Sequence, residues 1–273
     1  MSDKSETREF VTFLLKLGLF VFVLRSFIVA PFNIPSESMQ PRLLIGDYLI
    51  VSKWNYGYSR YSLPFSIPLI PGRLFASTPE RGDVVVFKAP PSQRQDYIKR
   101  VIGLPGDVIA MRDGIVILNG KEIPKQKIAD LVIPVTQNMI DATQRESGES
   151  PCYRTEFEEV KGGESYCRYP RFRETLPNGK NYEVLDVEQD GPGDNREPMI
   201  VPEGHLFLMG DNRDRSADSR FPAQEGGAIG LVPEKNLVGK AMISVFSTDG
   251  SANWFLPWTW FTAARWERIG EGF

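Results

Sequence analysis

The stretch from Phe10 to Ala30, FVTFLLKLGLFVFVLRSFIVA, is predominantly apolar, with Lys16 and Arg25 its only charges. A helix needs ~20 such residues to cross a bilayer. A charge held at mid-bilayer costs roughly 2.5–3.5 kcal/mol, but both cations lie toward the ends of the run, where long side chains reach the headgroups. The pattern predicts a transmembrane anchor over 10–30, preceded by a short tail over 1–9. A cleaved leader and a buried core helix are the alternatives. The apolar run Leu17–Leu24 is followed by Arg25-Ser26-Phe27-Ile28 instead of the small-x-small residues of a cleavage site, which favours an uncleaved anchor. Lys4, Arg8 and Lys16 on one side balance Arg25 and Arg42 on the other, so charge alone does not orient the segment.

Beyond Pro31 the apolar runs are short, rich in Val, Ile, Tyr and Phe, and bounded by Gly, Pro and Asp, the pattern of strands. Strands are predicted at Tyr48–Ser52, Asp83–Lys88, Tyr97–Leu104, Val108–Met111, Ile115–Leu118, His205–Met209 and Leu237–Phe246. Asp113-Gly114 and Asn119-Gly120 supply tight hairpin turns. Between about Pro124 and Val201 the composition turns polar and charged, which marks an inserted lobe. The expected fold is therefore mainly β. An N-terminal transmembrane helix leads into an all-β domain of antiparallel sheets over 31–123 and 201–273, interrupted by a second lobe over 124–200.

Cys152 and Cys167 flank a Gly-, Ser- and Glu-rich stretch and suit a disulfide closing a surface loop in an oxidising compartment; two unpaired thiols are the alternative. Trp254, Trp258, Trp260 and Trp266 crowd the C-terminal segment with Phe255, Phe261, Arg265 and Arg268. Such amphipathic aromatics favour a headgroup layer, and ordinary packing on the core explains them equally well.

Composition removes several chemistries. With 32 Lys+Arg against 35 Asp+Glu, a net charge of −3 offers no general attraction to nucleic acid, so none is expected as a partner. Two cysteines and one histidine fall short of a four-ligand structural zinc site, and no metal is expected. Any Ser-His-Asp arrangement hangs on the single histidine, His205. The chain contains no G-x-S-x-G, S-x-x-K, H-E-x-x-H, Walker lysine loop or G-x-G-x-x-G.

Three segments carry possible chemistry. In Ile34-Pro35-Ser36-Glu37-Ser38-Met39-Gln40-Pro41 the prolines hold an extended or turned chain, in which Ser36 and Ser38 point to the same side. At ~3.3 Å per residue Ser38 lies at most ~26 Å along the chain from Ala30, so chemistry there happens near the bilayer. A linker is the plainer reading of these residues. In Asp96-Tyr97-Ile98-Lys99-Arg100-Val101-Ile102-Gly103-Leu104-Pro105-Gly106-Asp107 an apolar strand sets a cation against packed neighbours. Arginine stays charged in proteins, whereas desolvation can bring a lysine down toward ~7–8, where its neutral amine is a general base. A snorkelling surface lysine is the alternative for Lys99. In Gly210-Asp211-Asn212-Arg213-Asp214-Arg215-Ser216-Ala217-Asp218-Ser219-Arg220, arginines occupy positions that a calcium loop needs for oxygen ligands. An ion-pair network fixing a turn and a solvated loop both fit.

Together, and in this order behind an apolar N-terminal segment, these segments resemble bacterial type I signal peptidase (leader peptidase), the Ser-Lys protease family that removes signal peptides from exported proteins. The resemblance covers the anchor, Pro31–Asp47, Arg81–Asp107 and Val201–Gly239, with a faint echo at Arg265–Gly270, and does not extend to the inserted lobe. It implies that Ser38 is the nucleophile and Lys99 the general base. It further implies that the Ser36 hydroxyl and the Ser38 N–H hold the oxyanion, and that Ser216 orients Lys99. Arg100 with Asp211, and Asp218 with Arg220, correspond to structural ion pairs. Phe32, Ile34, Pro35, Met39, Leu43, Val86, Tyr97 and Ile98 correspond to the pockets for small residues at −1 and −3 of the substrate. No cofactor is implied. Secreted preproteins are the implied substrates and the lipid bilayer a partner. The implied location is the inner (cytoplasmic) membrane, crossed once, with the catalytic domain on the periplasmic side.

Three positions depart from the family pattern: Glu37 replaces a common glycine, Arg215 a common asparagine and Arg42 a common threonine. Some family members also carry two membrane helices. The rival from another class is a non-catalytic, membrane-anchored periplasmic β-domain that binds exported or envelope proteins.

Overall fold

The computed structural model describes residues 2–253 and 255–273. Its apolar helix and its first strand are continuous. Helix Ser2–Val23 passes through a wider helical turn, Leu24–Ile28, directly into strand Val29–Asn33. The stretch Glu6–Ile28, 23 residues, is long and apolar enough to cross a membrane. The apolar run extends to Ala30, but the helix ends at Ile28 because Val29 and Ala30 pair with Ser52 and Val51. β-branched Val29 and the fixed φ of Pro31 both suit an extended chain. The polar residues before Phe10 continue the helix as far as Ser2. Two hydrogen bonds fasten the junction, Lys53 N–H to the Ile28 carbonyl at 2.9 Å and Tyr58 O–H to the Phe27 carbonyl at 3.0 Å.

The main sheet has seven antiparallel strands in the order Val29–Asn33, Asp47–Ser52, Leu237–Ser247, Val84–Lys88, Asp96–Gly103, His205–Met209 and Val232–Pro233. Strand Val84–Lys88 is apolar without alternation because both of its faces are covered. Val85 and Phe87 pack with Val101, Leu206 and Leu208, while Val84 packs on the other side with Ile34, Met39, Leu43 and Leu49. Gly239 lets the long strand approach its neighbour: a Cβ there would fall 2.1 Å from the Ser52 carbonyl oxygen. Each predicted strand is present, with its ends shifted by at most a residue.

A second sheet holds Arg196–Ile200, Val108–Arg112, Ile115–Leu118 and Lys121–Glu122. Its two hairpin turns have positive φ at both central residues, Asp113 with Gly114 and Asn119 with Gly120, the backbone that Asp-Gly and Asn-Gly favour. A third sheet is built from Lys125–Pro134, Glu158–Lys161, Glu164–Thr175 and Asn181–Leu185. Helix Gln137–Glu146 lies within this polar stretch, capped by Thr136. The Cys152–Cys167 disulfide is formed there, with both cysteines fully buried beside Met139, Tyr169 and Leu185. Arg196–Ile200 belongs by sequence to the polar stretch, yet it pairs with Val108–Arg112.

The C-terminal aromatics are mostly exposed: Phe255, Trp258, Phe261 and Trp266 all stand out into solvent. Trp254 lies outside the described residues. Behind them, Arg265 and Arg268 converge on buried Asp47 at 3.3 and 2.7 Å, and the second also donates to the Arg42 carbonyl at 2.9 Å. The faint echo at Arg265–Gly270 thus contains a polar anchor for the start of the second strand.

Candidate active site

Ser38 and Lys99 come from different parts of the chain and meet at one hydrogen bond, Lys99 Nζ to Ser38 Oγ at 2.6 Å. Lys99 is placed by strand register. It stands opposite Val85 and two residues before Val101, so its stem shares a face with an apolar cluster. Ser38 is placed by its own carbonyl, which accepts the Asn212 N–H at 3.1 Å. That approach requires a glycine next door. A Cβ on Gly210 would lie 2.3 Å from Ser216 Oγ and 2.4 Å from the Ser38 carbonyl oxygen.

Burial is the largest influence on Lys99 and drives its pKa down to about 8; Asp218 and Asp211 pull it back up, and Arg220 lowers it further. Among the described residues no hydrogen bond joins the ammonium to a carboxylate. A lysine amine with a lowered pKa touching a serine hydroxyl can accept that hydroxyl's proton.

The flanking ion pairs have a different character. Arg100 grips Asp211 with two parallel hydrogen bonds of 2.7 and 2.6 Å, donates to the Gly82 carbonyl at 2.8 Å and lies over the Tyr182 ring. Burial opposes its charge, but the Asp211 carboxylate more than compensates and raises its pKa. Asp218 receives Arg220 Nε at 2.8 Å and the Gly210 N–H at 3.0 Å. Burial works against that carboxylate, and Arg220 outweighs it and lowers the pKa.

Ser216 lies on the same glycine. Its hydroxyl is buried without a partner of ordinary hydrogen-bond geometry among the described residues and makes no bond to Lys99. It is close enough to Asp218 to help lower that carboxyl. Ser36 is half-buried at the rim of the cleft.

The cleft, about 340 Å³, runs past Ser38 and Lys99 between the Phe32–Ser36 segment and the Asp96–Lys99 backbone. Phe32, Ile34, Pro35, Val86, Tyr97 and Ile98, expected at the substrate pockets, line it. Met39 and Leu43 do not. Both are fully buried beneath it with Leu49 and Val84, since the turn after Ser38 carries them into the core. The backbone of residues 96–99 is paired on one side only. Residues 85–88 match it there, whereas the other neighbouring strand ends where Met209 meets Arg100.

One buried network escapes the sequence reading. Arg213 pairs with Glu174, each side chain 1% exposed, and the Tyr182 hydroxyl donates to the same carboxylate. Leu185 links these elements to the site, its N–H donating to the Asp211 carbonyl and its carbonyl accepting from the Arg213 N–H, both at 2.9 Å. Nothing in the polar stretch marks Glu174 or Tyr182 among many similar residues. The only carboxylate group among the described residues with metal-ligand spacing is Asp186, Asp194 and Asp214, whose oxygens lie within 4.8 Å of one another. Lys125 already sits on Asp186, and burial raises the pKa of Asp194 and Asp214.

Comparison with known proteins gives the family of the chain. The family model described as signal peptidase, peptidase S26, matches residues 7–246. Signal peptidase I of Rickettsia typhi is 36% identical over 255 residues, covering 90% of this chain and 83% of that protein, and the protein of the same name from Rickettsia prowazekii matches to the same extent. A solved signal peptidase I from Enterococcus faecalis is 24% identical, with a TM-score of 0.29, over 60% of this chain and 97% of that one. On the family model and the Rickettsia relatives, the chain belongs to the signal peptidase family, peptidase S26.

Proposed function

We propose that this protein is a membrane-anchored serine endopeptidase that removes signal peptides from exported preproteins, with Ser38 as nucleophile and Lys99 as general base. The observation that carries the reading is the 2.6 Å contact between a buried lysine amine and a serine hydroxyl. With its pKa near 8, Lys99 is neutral in about one molecule in ten at pH 7, enough to accept a proton.

The preprotein binds as an extended strand along the unpaired side of residues 96–99, a β-augmentation that supplies main-chain hydrogen bonds. Small side chains at −3 and −1 settle among Ile34, Val86 and Ile98 in the cleft. Ser38 Oγ attacks the carbonyl carbon of the −1 residue while its proton passes to Lys99. The oxyanion is held by the Ser36 hydroxyl and the Ser38 N–H, donors worth roughly 2.7–4 kcal/mol each in comparable sites. Lys99 then protonates the departing amine, and water activated by the same amine releases the acyl-enzyme. Ser216, buried beside Asp218 and next to Gly210, hydrogen-bonds the lysine as the substrate closes over it. The Glu6–Ile28 helix is the anchor. Because it runs straight into the strand beside the cleft, it keeps the site at the membrane surface. The Cys152–Cys167 disulfide favours an extracytoplasmic location.

The test is the mass of a model preprotein after incubation with the wild-type protein and with the Ser38→Ala and Lys99→Ala variants. Cleavage after a small residue by the wild type alone is expected. Near-normal cleavage by either variant would sink the dyad, and binding without cleavage by all three points to the non-catalytic domain.

A further inference from the structure

Two of the positions that depart from the family pattern, Glu37 and Arg215, touch each other. Arg215 Nε lies 3.4 Å from Glu37 Oε2; in sequence Glu37 stands between Ser36 and Ser38, and Arg215 directly precedes Ser216. The guanidinium carbon also lies 4.8 Å over the Tyr153 ring. Tyr153 is itself held in place: it follows Cys152 of the disulfide, has φ of 70°, and donates its hydroxyl proton to Glu188. A left-handed backbone at a bulky residue is strained, and such strain persists where surrounding contacts impose it.

Arg215 is therefore fixed from two directions, and it stands at a junction. It lines the cleft beside Ser38, and it also lines a second, larger cleft of about 870 Å³ that continues past Glu37 and Ala217 toward Phe221 and Gln224. A substrate strand that fills the first cleft up to Ser38 with its −3 and −1 residues must carry its following residues past Arg215 into the second. The two acids along that path are turned away. Glu37 is paired with Arg215 and its side chain is only 9% exposed, against 30% for Arg215. One Asp214 oxygen takes the Val187 and Glu188 N–H groups at 2.7 and 3.1 Å.

We infer that Arg215, held by Glu37 and Tyr153, binds the first residues beyond the cleavage site and favours an acidic side chain there. A planar guanidinium matches a carboxylate in two-point geometry, and its position beside the nucleophile makes it a specificity-determining residue. The inference rests on the peptidase reading above. A half-exposed charge pair of this kind corresponds to about a three- to fivefold preference.

The experiment uses the full-length protein in detergent micelles and three model preproteins that differ only at +1 and +2, where each carries two Asp, two Ser or two Lys residues. The products are measured in competition by mass spectrometry. The wild type is expected to cleave the Asp substrate about three- to fivefold faster than the Lys substrate. Arg215→Met should bring that ratio close to one, and Arg215→Glu should invert it. Tyr153→Leu, which leaves the cation but removes its platform, should reduce the ratio. An unchanged ratio in both Arg215 variants, or a wild-type preference for Lys, overturns the inference while leaving the peptidase reading intact. Failure of the wild type to cleave any of the three overturns that reading instead.

Discussion

Lys99 and Arg100 are neighbours on one strand and almost equally hidden, 4% and 5% exposed, yet they face opposite sides of the sheet and have opposite fates. Arg100 meets a carboxylate squarely and is held charged; Lys99 meets apolar side chains and a hydroxyl, and burial lowers its pKa to about 8. Burial is common to both. The partner decides whether a buried cation is held charged or has its pKa lowered, and only lysine has a proton it can give up.

The largest expected effect comes from denying Lys99 that freedom. Lys99→Arg keeps a cation in the same place but one that cannot act as a base, so kcat should fall by at least about 10³, as in Lys99→Ala and Ser38→Ala, while the preprotein still binds. Single-turnover kinetics with a model preprotein check this, and an active Lys99→Arg variant would break the contrast with Arg100. Next in size is the fastening itself. Arg100→Ala leaves Asp211 buried and unpaired, a loss of roughly 3–5 kcal/mol of stability. Thermal unfolding in detergent should show it as a large drop in Tm, with a parallel loss in Asp211→Ala.

The asymmetry between the two cations also marks what sequence can and cannot convey. The strand 96–103 is legible because Tyr97, Ile98, Val101 and Ile102 are β-formers between an Asp and a Gly-Leu-Pro turn. The hairpins at Asp113-Gly114 and Asn119-Gly120 are legible for an equally local reason, a backbone that few residue pairs favour. Which of two adjacent cations loses its proton is not local. It depends on Val85 across the strand, on Ser38 from a distant loop and on Asp211 from another. The family resemblance supplied those pairings where pattern alone left Lys99 open between surface lysine and base. Glu174, Tyr182 and Tyr153 are illegible on both counts, because none of the three motif segments falls in the polar stretch and its residues are ordinary until folded against Arg213 and Arg215. Met39 and Leu43 show the converse limit: apolar residues that follow Ser38 read alike whether they line a cleft or lie beneath it.

A smaller effect sharpens the comparison by pH. The folded pKa of Lys99 lies near 8, below its ordinary value of 10.5. Between those values the unfolded chain holds a proton that the native protein lacks, so stability rises with pH across this window. Below about pH 8 both states are protonated and the native state bears the full cost of a buried ammonium. Lys99→Met should therefore raise Tm at pH 7 by an amount equivalent to about 1–3 kcal/mol, and the gain should fade as pH rises from 8 to 10.5. A constant difference across that range would mean that the wild-type amine is not desolvated. The activity of the wild type should climb through the same pH 8 on its acidic limb.

The smallest expected effect belongs to the single histidine. His205 begins the strand whose other end, Met209, meets Arg100, and its Nδ1 lies 3.1 Å from the Glu203 carbonyl oxygen, a local contact within its own turn. With no other imidazole in the chain, a histidine-dependent protease would have to use this residue. The proposed mechanism gives the proton-accepting role to the Lys99 amine instead. His205→Ala should change kcat/KM by less than about twofold and leave the acidic limb near pH 8 where it is, because the group titrating there is Lys99. A limb that shifts or disappears in this variant would transfer the base from the lysine to the imidazole, and the distinction between the two buried cations would then lose its bearing on catalysis.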